Sequence, residues 1–338
     1  MAKIIRFHEF GGPQVLKVDD IDVPEPGVDE VRISIEAIGL NRADVLLRQN
    51  QYMETPELPS KLGYDCAATV EAIGEGVTNV AVGDRVLTIP TFSQSQHGVY
   101  GEAALVPANS LWPWSEDLAA EHAACVGVQY LTVYFAMREI GKINQGDTVL
   151  ITAATGGVGF AAIEVAKQMG ARIIATTRKQ DKATALIEAG ADHVVVTSEE
   201  DLTSRVDEVT DHKGVNMVFD PIAGKAIPNL LDCLTPGGRL VIYGILDQTE
   251  PTIPIMPLLV KGASLHGFSV FSFTGYPSIG IPQQTEAVVK ARDFLLPRLA
   301  DGRLKPMVSE TYALEDVIAA HEALESNKQT GKIVLKVK

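Results

Sequence analysis

TVLITAATGGVGFAAIEVAKQMGARIIATTRK, residues 148–179, is the stretch from which the fold is read. TVLIT (148–152) is a short apolar run of the kind buried inside a sheet. GVGFAAIEVAKQMG (157–170) is rich in alanine, reads as a helix and closes at Gly170. RIIATT (172–177) is strand-like again, so the stretch is one βαβ unit. The turn between strand and helix, AATGGVG (153–159), has the spacing of a dinucleotide fingerprint. Gly156 lets the backbone approach a pyrophosphate, and Gly159 lets the helix pack on the strand. The N–H groups of Thr155, Gly156, Gly157 and Val158 at the helix start face the phosphates. Ala154 stands at the first glycine position, so the motif draws its weight from its place between strand and helix. The competing reading is a purely structural glycine-rich turn.

The end of the second strand bears on which cofactor binds. An NAD site places an acid there to accept from the ribose hydroxyls. This chain has Thr176, Thr177, Arg178 and Lys179, with Lys182 beyond. Hydroxyls and cations attract a 2′-phosphate, which an acid would repel, so NADPH is expected, held by Thr177, Arg178 and Lys182. Asp181, the nearest acid, is read as the N-cap of a helix over 181–190.

The same rhythm extends outward on the C-terminal side. HVVV (193–196), a helix around 199–210, VNMVFD (215–220), a helix around 223–234 and GRLVIYG (238–244) alternate strand with helix. That alternation predicts a doubly wound parallel sheet. On the N-terminal side the texture differs. VRISIEAIGL (31–40), AATVEAIGEGV (67–77) and DRVLTIP (84–90) are strands among Gly, Pro and Asp, with no amphipathic helix expected before about residue 117. After Gly262 come strand-like SLHGFSVFSF, a helix over 286–302 and a closing strand GKIVLKV (331–337), a tail too short for a third domain. The expected organisation is a mostly β domain of residues 1–125 together with 267–338, a nucleotide-binding domain of 126–266, and an active-site cleft between them.

Composition narrows the class. With 338 residues, 46% hydrophobic and 21% charged, the chain fits a globular protein of two domains. A formal net charge of −14 without a basic cluster disfavours nucleic acid and anionic membrane as partners. The opening MAKIIRFHEF carries no readable leader, and no apolar run reaches spanning length. Cys66, Cys125 and Cys233 are scattered and form no CxxC pair, which points to a reducing cytoplasmic setting.

With the fingerprint following a β-rich domain, the whole chain resembles the medium-chain dehydrogenase/reductase superfamily. Within it the chain is similar to the branch of quinone oxidoreductases and enoyl reductases. GLNRADVLLRQNQY (39–52), LGYD (62–65), EAIGEGVTNVAVGDRV (71–86), YLTVYFAM (130–137), GFSVF (267–271) and GKIVL (331–335) carry the likeness. It implies a GroES-like catalytic domain, mostly β, beside a Rossmann domain. Where zinc-dependent members place metal ligands, this chain has Asn41, Tyr64 with Asp65, and about Val128. Asn, Tyr and Val do not make a catalytic zinc site, so no metal is expected.

The resemblance further implies Tyr52 as hydrogen-bond donor or proton source and Asn41 as a group near the nicotinamide. The family pattern N-x-x-D…R-x-x-x-Y also covers Asp44 and Arg48. Asp44 is either part of the site or paired with Arg48 one helical turn on. Tyr64 either lines the pocket or packs. By position, Thr132, Tyr243, Gly244, Phe268, Ser269 and Lys332 match the remaining cofactor contacts. The expected activity is metal-free, NADPH-dependent reduction of a quinone or other conjugated carbonyl such as an enone. The alternatives are a 2-enoyl-thioester or alkenal reductase and, in another class, a non-catalytic NADPH-binding protein. A homodimer is expected through a sheet edge at IYGILDQTEPTIPI (242–255), since related chains join such edges.

Overall fold

The computed structural model describes residues 1–338, which form two compact units: Met1–Gln129 with Val270–Lys338, and Tyr130–Ser269. In the second unit six strands, numbered within it, make one parallel sheet: β1 (Thr148–Ile151), β2 (Arg172–Thr177), β3 (His193–Val196), β4 (Val215–Asp220), β5 (Leu234–Ile242) and β6 (Ser264–Gly267). Their spatial order, β3-β2-β1-β4-β5-β6, reverses at β1. This is the doubly wound dinucleotide-binding order. Central strands are apolar on both faces because helices cover both. Val149, Leu150, Ile151, Met217, Val218 and Phe219 are accordingly buried.

The first unit is built on a seven-stranded, mainly antiparallel sheet. Its path runs Val308–Ala313, Lys332–Lys336, Glu30–Gly39, Asp65–Ile73, Arg85–Thr88 and Leu111–Pro113, with Ala103–Pro107 also paired to Glu30–Gly39. Register matters here. Gly39 lies opposite Val334 on one side and Asp65 on the other. The C-terminal strand is thereby woven beside segments nearly 300 residues earlier, and Asn41, Asp65 and Lys332 are drawn to one end of the sheet.

Several local expectations are corrected. A helix does precede residue 117, at Arg42–Arg48. Seven residues are too few for a helical period to show, and an Asp44 carboxylate accepting from the Asn41 N–H fixes its start at 2.8 Å. Asp181 does not cap a helix: it lies in the 3-10 turn Gln180–Lys182, and the α-helix Ala183–Ala189 follows. SLHGFSVFSF is not one strand, since β6 ends at Gly267 and Phe271–Thr274 is helical. The run 242–255 does not form the sheet edge, because β6 pairs with β5 outside it. No helix is long and apolar enough to cross a membrane.

Candidate active site

In the nucleotide-binding unit, the fingerprint leads from β1 into the helix Gly157–Gln168. A Cβ on Gly159 would stand 2.3–2.5 Å from the Ala154 backbone, so only glycine permits that approach. At Gly156 the nearest atom to such a Cβ is 3.9 Å away, which leaves the backbone open. Gly156 begins the helix with no side chain capping it, so first-turn amides remain available to a ligand. Thr155, Gly156, Gly157 and Val158 are all partly exposed there. Ala154 N–H donates to Thr176 O (3.0 Å), tying the turn to the end of β2.

Thr177 closes β2, buried, with Arg178 exposed beside it and Lys182 half-buried in the next turn. Burial lowers the Lys182 pKa, and the neighbouring Lys179 and Arg178 charges lower it further. Arg178, Lys179 and Lys182 outnumber Asp181, whose charge raises the Lys182 pKa, and such a positive cluster suits an anionic group. Of the other positions expected to touch cofactor, Tyr243 stacks on Phe219 (centroids 4.1 Å, interplanar angle 17°) just past β5. Gly244 follows it, and Phe268 and Ser269 follow β6, Phe268 N–H donating to Ile242 O at 2.8 Å. Thr132 is buried in the helix Gly127–Phe135.

In the first unit, Asn41, Asp65 and Val128, at positions aligned with zinc ligands, come together around hydrogen bonds to the Asp65 carboxylate. The Lys332 ammonium donates to Asn41 Oδ1 and to Asp65 Oδ2, each at 2.7 Å. Asn41 Nδ2 donates to the same Asp65 oxygen (3.0 Å), and Val128 N–H donates to the other (2.8 Å). The Lys332 and Asp65 side chains are 3% and 0% exposed. Gly39 makes room for this: a Cβ there would lie 2.8 Å from Lys332 Cε and 2.1 Å from Ala124 O. No three His, Cys, Asp or Glu side chains converge as a ligand group.

Asp44 adjoins the cluster. Its Oδ2 accepts from Asn41 N–H and from Tyr100 OH, both at 2.8 Å. Complete burial pushes its carboxyl up to about 7, against these two hydrogen bonds and the Lys332 charge. Of the two alternatives for Asp44, pairing with Arg48 is not the one observed. Arg48 is fully buried and instead pairs with Glu325 and donates to Gly11 O. Tyr52 follows in a loop, with its hydroxyl 3.4 Å from that of Tyr64, which is fully buried against Phe92 and Phe271. Sequence reasoning singled out Asn41, Asp44, Tyr52, Tyr64 and Lys332. It missed Tyr100, Tyr276 and the role of Asp65 as anchor, none of which stands in a local motif.

Comparison with known proteins settles the lineage. Residues 27–116 match the alcohol dehydrogenase GroES-like domain and residues 157–287 the zinc-binding dehydrogenase family. A quinone oxidoreductase from Lama guanicoe is 33% identical over 341 residues, covering 100% of this chain and 98% of its own. The chain belongs to the quinone oxidoreductase branch of the medium-chain dehydrogenases/reductases. The crystal structure of Escherichia coli quinone oxidoreductase complexed with NADPH is 30% identical, covers 100% of both chains and superposes with a TM-score of 0.87. An NAD-dependent alcohol dehydrogenase superposes at 0.89, also at 30% identity and full coverage. The fold is therefore GroES-like plus Rossmann, as the resemblance implied. Within a family whose model is named for zinc, this chain has Asn41, Tyr64 with Asp65, and about Val128 at the positions aligned with ligands, and the Lys332 ammonium bonds Asn41 and Asp65.

Proposed function

We propose that the protein is an NADPH-dependent quinone oxidoreductase that works without a metal. The observation that carries this reading is the buried Lys332–Asp65–Asn41 cluster. An ammonium already satisfies the carboxylate and amide that a metal would need. Bound NADPH supplies the hydride. The chain's own work is to hold the nucleotide and to stabilise the substrate oxygen. Thr177, Arg178 and Lys182 grip the 2′-phosphate, and the first-turn amides after Gly156 bind the pyrophosphate. Asn41 is oriented by Lys332 and Asp65, and Asp44 holds the start of its helix. Tyr52 donates its hydroxyl to the substrate oxygen as negative charge develops there. The names of the related proteins favour a quinone over an enoyl thioester and over a non-catalytic role.

The test is NADPH consumption with a panel of quinones, before and after chelation, using wild type and Tyr52→Phe. Turnover of quinones that survives chelators is expected, together with a rate loss on the order of 10²-fold in the variant at near-normal NADPH affinity. Wild-type rates from Tyr52→Phe would reduce that side chain to a pocket wall, and chelator-sensitive turnover would end the metal-free reading.

The protein works in the cytoplasm as a homodimer. Its three cysteines, all buried and free, suit a reducing compartment. The dimer reading is supported by a run of exposed apolar side chains on the nucleotide-binding unit: Ile245, Leu246, Ile255, Met256, Leu259 and Val260. Leu259 is 69% and Val260 77% exposed. A second copy of the same surface would cover it.

A further inference from the structure

Behind Tyr52 lies a row of hydroxyls within the catalytic unit. Tyr64 OH is 3.4 Å from Tyr52 OH and 3.2 Å from Tyr276 OH. Tyr64 and Tyr276 are fully buried, and aromatic rings wall them in: Phe271 lies 5.4 Å from Tyr64 and 4.6 Å from Tyr276. A phenol has one proton and can also accept, so Tyr64 can donate to Tyr52 while accepting from Tyr276, or the reverse. Burial raises the Tyr276 pKa, and the neighbouring Glu54 carboxylate raises it further. Glu54 accepts from Ser93 Oγ (2.9 Å) and from the solvent-facing Ser278 Oγ (3.3 Å). A polar path thus leads from the proposed donor to solvent through apolar surroundings.

We propose that Tyr64, Tyr276 and Glu54 form a proton relay that restores to Tyr52 the proton given to the substrate oxygen. The inference rests on the reading of Tyr52 as donor. Reduction leaves the electron pair, and the negative charge, on that oxygen. Its new O–H bond takes the Tyr52 proton; Tyr52 takes that of Tyr64, Tyr64 that of Tyr276, and Tyr276 takes one that the Glu54 carboxylate has first picked up from solvent. Each hydroxyl breaks one O–H bond and forms another, so every phenol ends neutral. Burial raises the pKa of all three phenols, which makes a lone phenolate at any of them costly. Moving the protons together avoids that state, returns Glu54 to its resting carboxylate and leaves the balancing charge in solvent.

Tyr276→Phe keeps the ring on Phe271 and deletes only the hydroxyl; Glu54→Gln alters the half-buried end and is the safer variant for folding. Single-turnover rates with a quinone should fall about tenfold or more in both, with KM and NADPH affinity unchanged. In mixed H₂O/D₂O the wild-type rate should curve with deuterium fraction, as several protons move together, and become linear in Tyr276→Phe. In the cofactor-free protein, ¹³Cζ-tyrosine NMR should show the Tyr52 resonance, assigned by its loss in Tyr52→Phe, shifting in Tyr276→Phe. If both variants keep the wild-type rate and curvature while Tyr52→Phe is slow, the relay is wrong and the donor stands. If Tyr52→Phe is also unimpaired, the donor reading falls with it.

Discussion

Replacing Lys332 by Met deletes an ammonium from the interior of the catalytic unit while keeping an unbranched apolar stem. The Asp65 carboxylate then stays buried with two donors, Val128 N–H at 2.8 Å and Asn41 Nδ2 at 3.0 Å, and no counter-charge. Removing one partner of a buried pair typically costs about 3–5 kcal/mol, because the other charge is stranded. The two surviving hydrogen bonds place the expected loss near the lower end, at about 3 kcal/mol. The chain's only tryptophans, Trp112 and Trp114, are both buried in this same unit, so urea unfolding followed by their fluorescence reports on it. Adding Asp65→Asn to the variant removes the stranded charge and should recover more than half of the loss. A Lys332→Met loss no greater than that of an exposed ion pair, about 1 kcal/mol, would refute the reasoning. So would a double variant no more stable than the single one.

Asp44 offers a pH test. Its folded pKa of about 7 lies above the unfolded value near 3.9, so folding takes up a proton between them and stability falls as pH rises through that window, by at most about 1.4 kcal/mol per unit. Asp44→Asn should flatten this component in tryptophan-monitored urea unfolding from pH 5 to 8, and equal slopes in both proteins would count against it. Arg178→Ala should weaken NADPH about tenfold at low salt and leave NADH unchanged, as read by titration of cofactor fluorescence; a parallel loss for both cofactors would place Arg178 away from the 2′-phosphate. Wild-type protein should run in light scattering at twice the 36.3 kDa chain mass, and Leu259→Glu at once that mass; a monomeric wild type removes the proposed dimer.

What the sequence makes legible depends on how far apart the interacting groups lie along it. The stretch 148–179 needs only neighbours: an apolar run, glycines at fixed spacing, an alanine-rich helix and a second apolar run yield the observed β1–helix–β2. Where the deciding partner is remote, local rules allow several outcomes. Asp44 and Arg48 have ideal spacing for a helical ion pair, yet each is captured from elsewhere. Tyr100, 56 residues away, donates to Asp44, and Glu325, 277 away, pairs with Arg48. A buried site rewards complete desolvation and good geometry, so a tertiary partner outweighs an i,i+4 contact worth a few tenths of a kcal/mol. Lys332 and Asp65 are separated by 267 residues, and only the register that sets Gly39 between Val334 and Asp65 brings them together. The same logic explains the missed helix at Arg42–Arg48: its start is held by Asp44, whose second hydrogen bond comes from Tyr100. In this unit, therefore, the buried Lys332, Asp65 and Asn41 belong to one network with Asp44, which fixes the local backbone. Substitutions at Asn41, Asp44, Asp65 or Lys332 should change stability and turnover together, whereas Tyr52, on its loop, should change turnover alone.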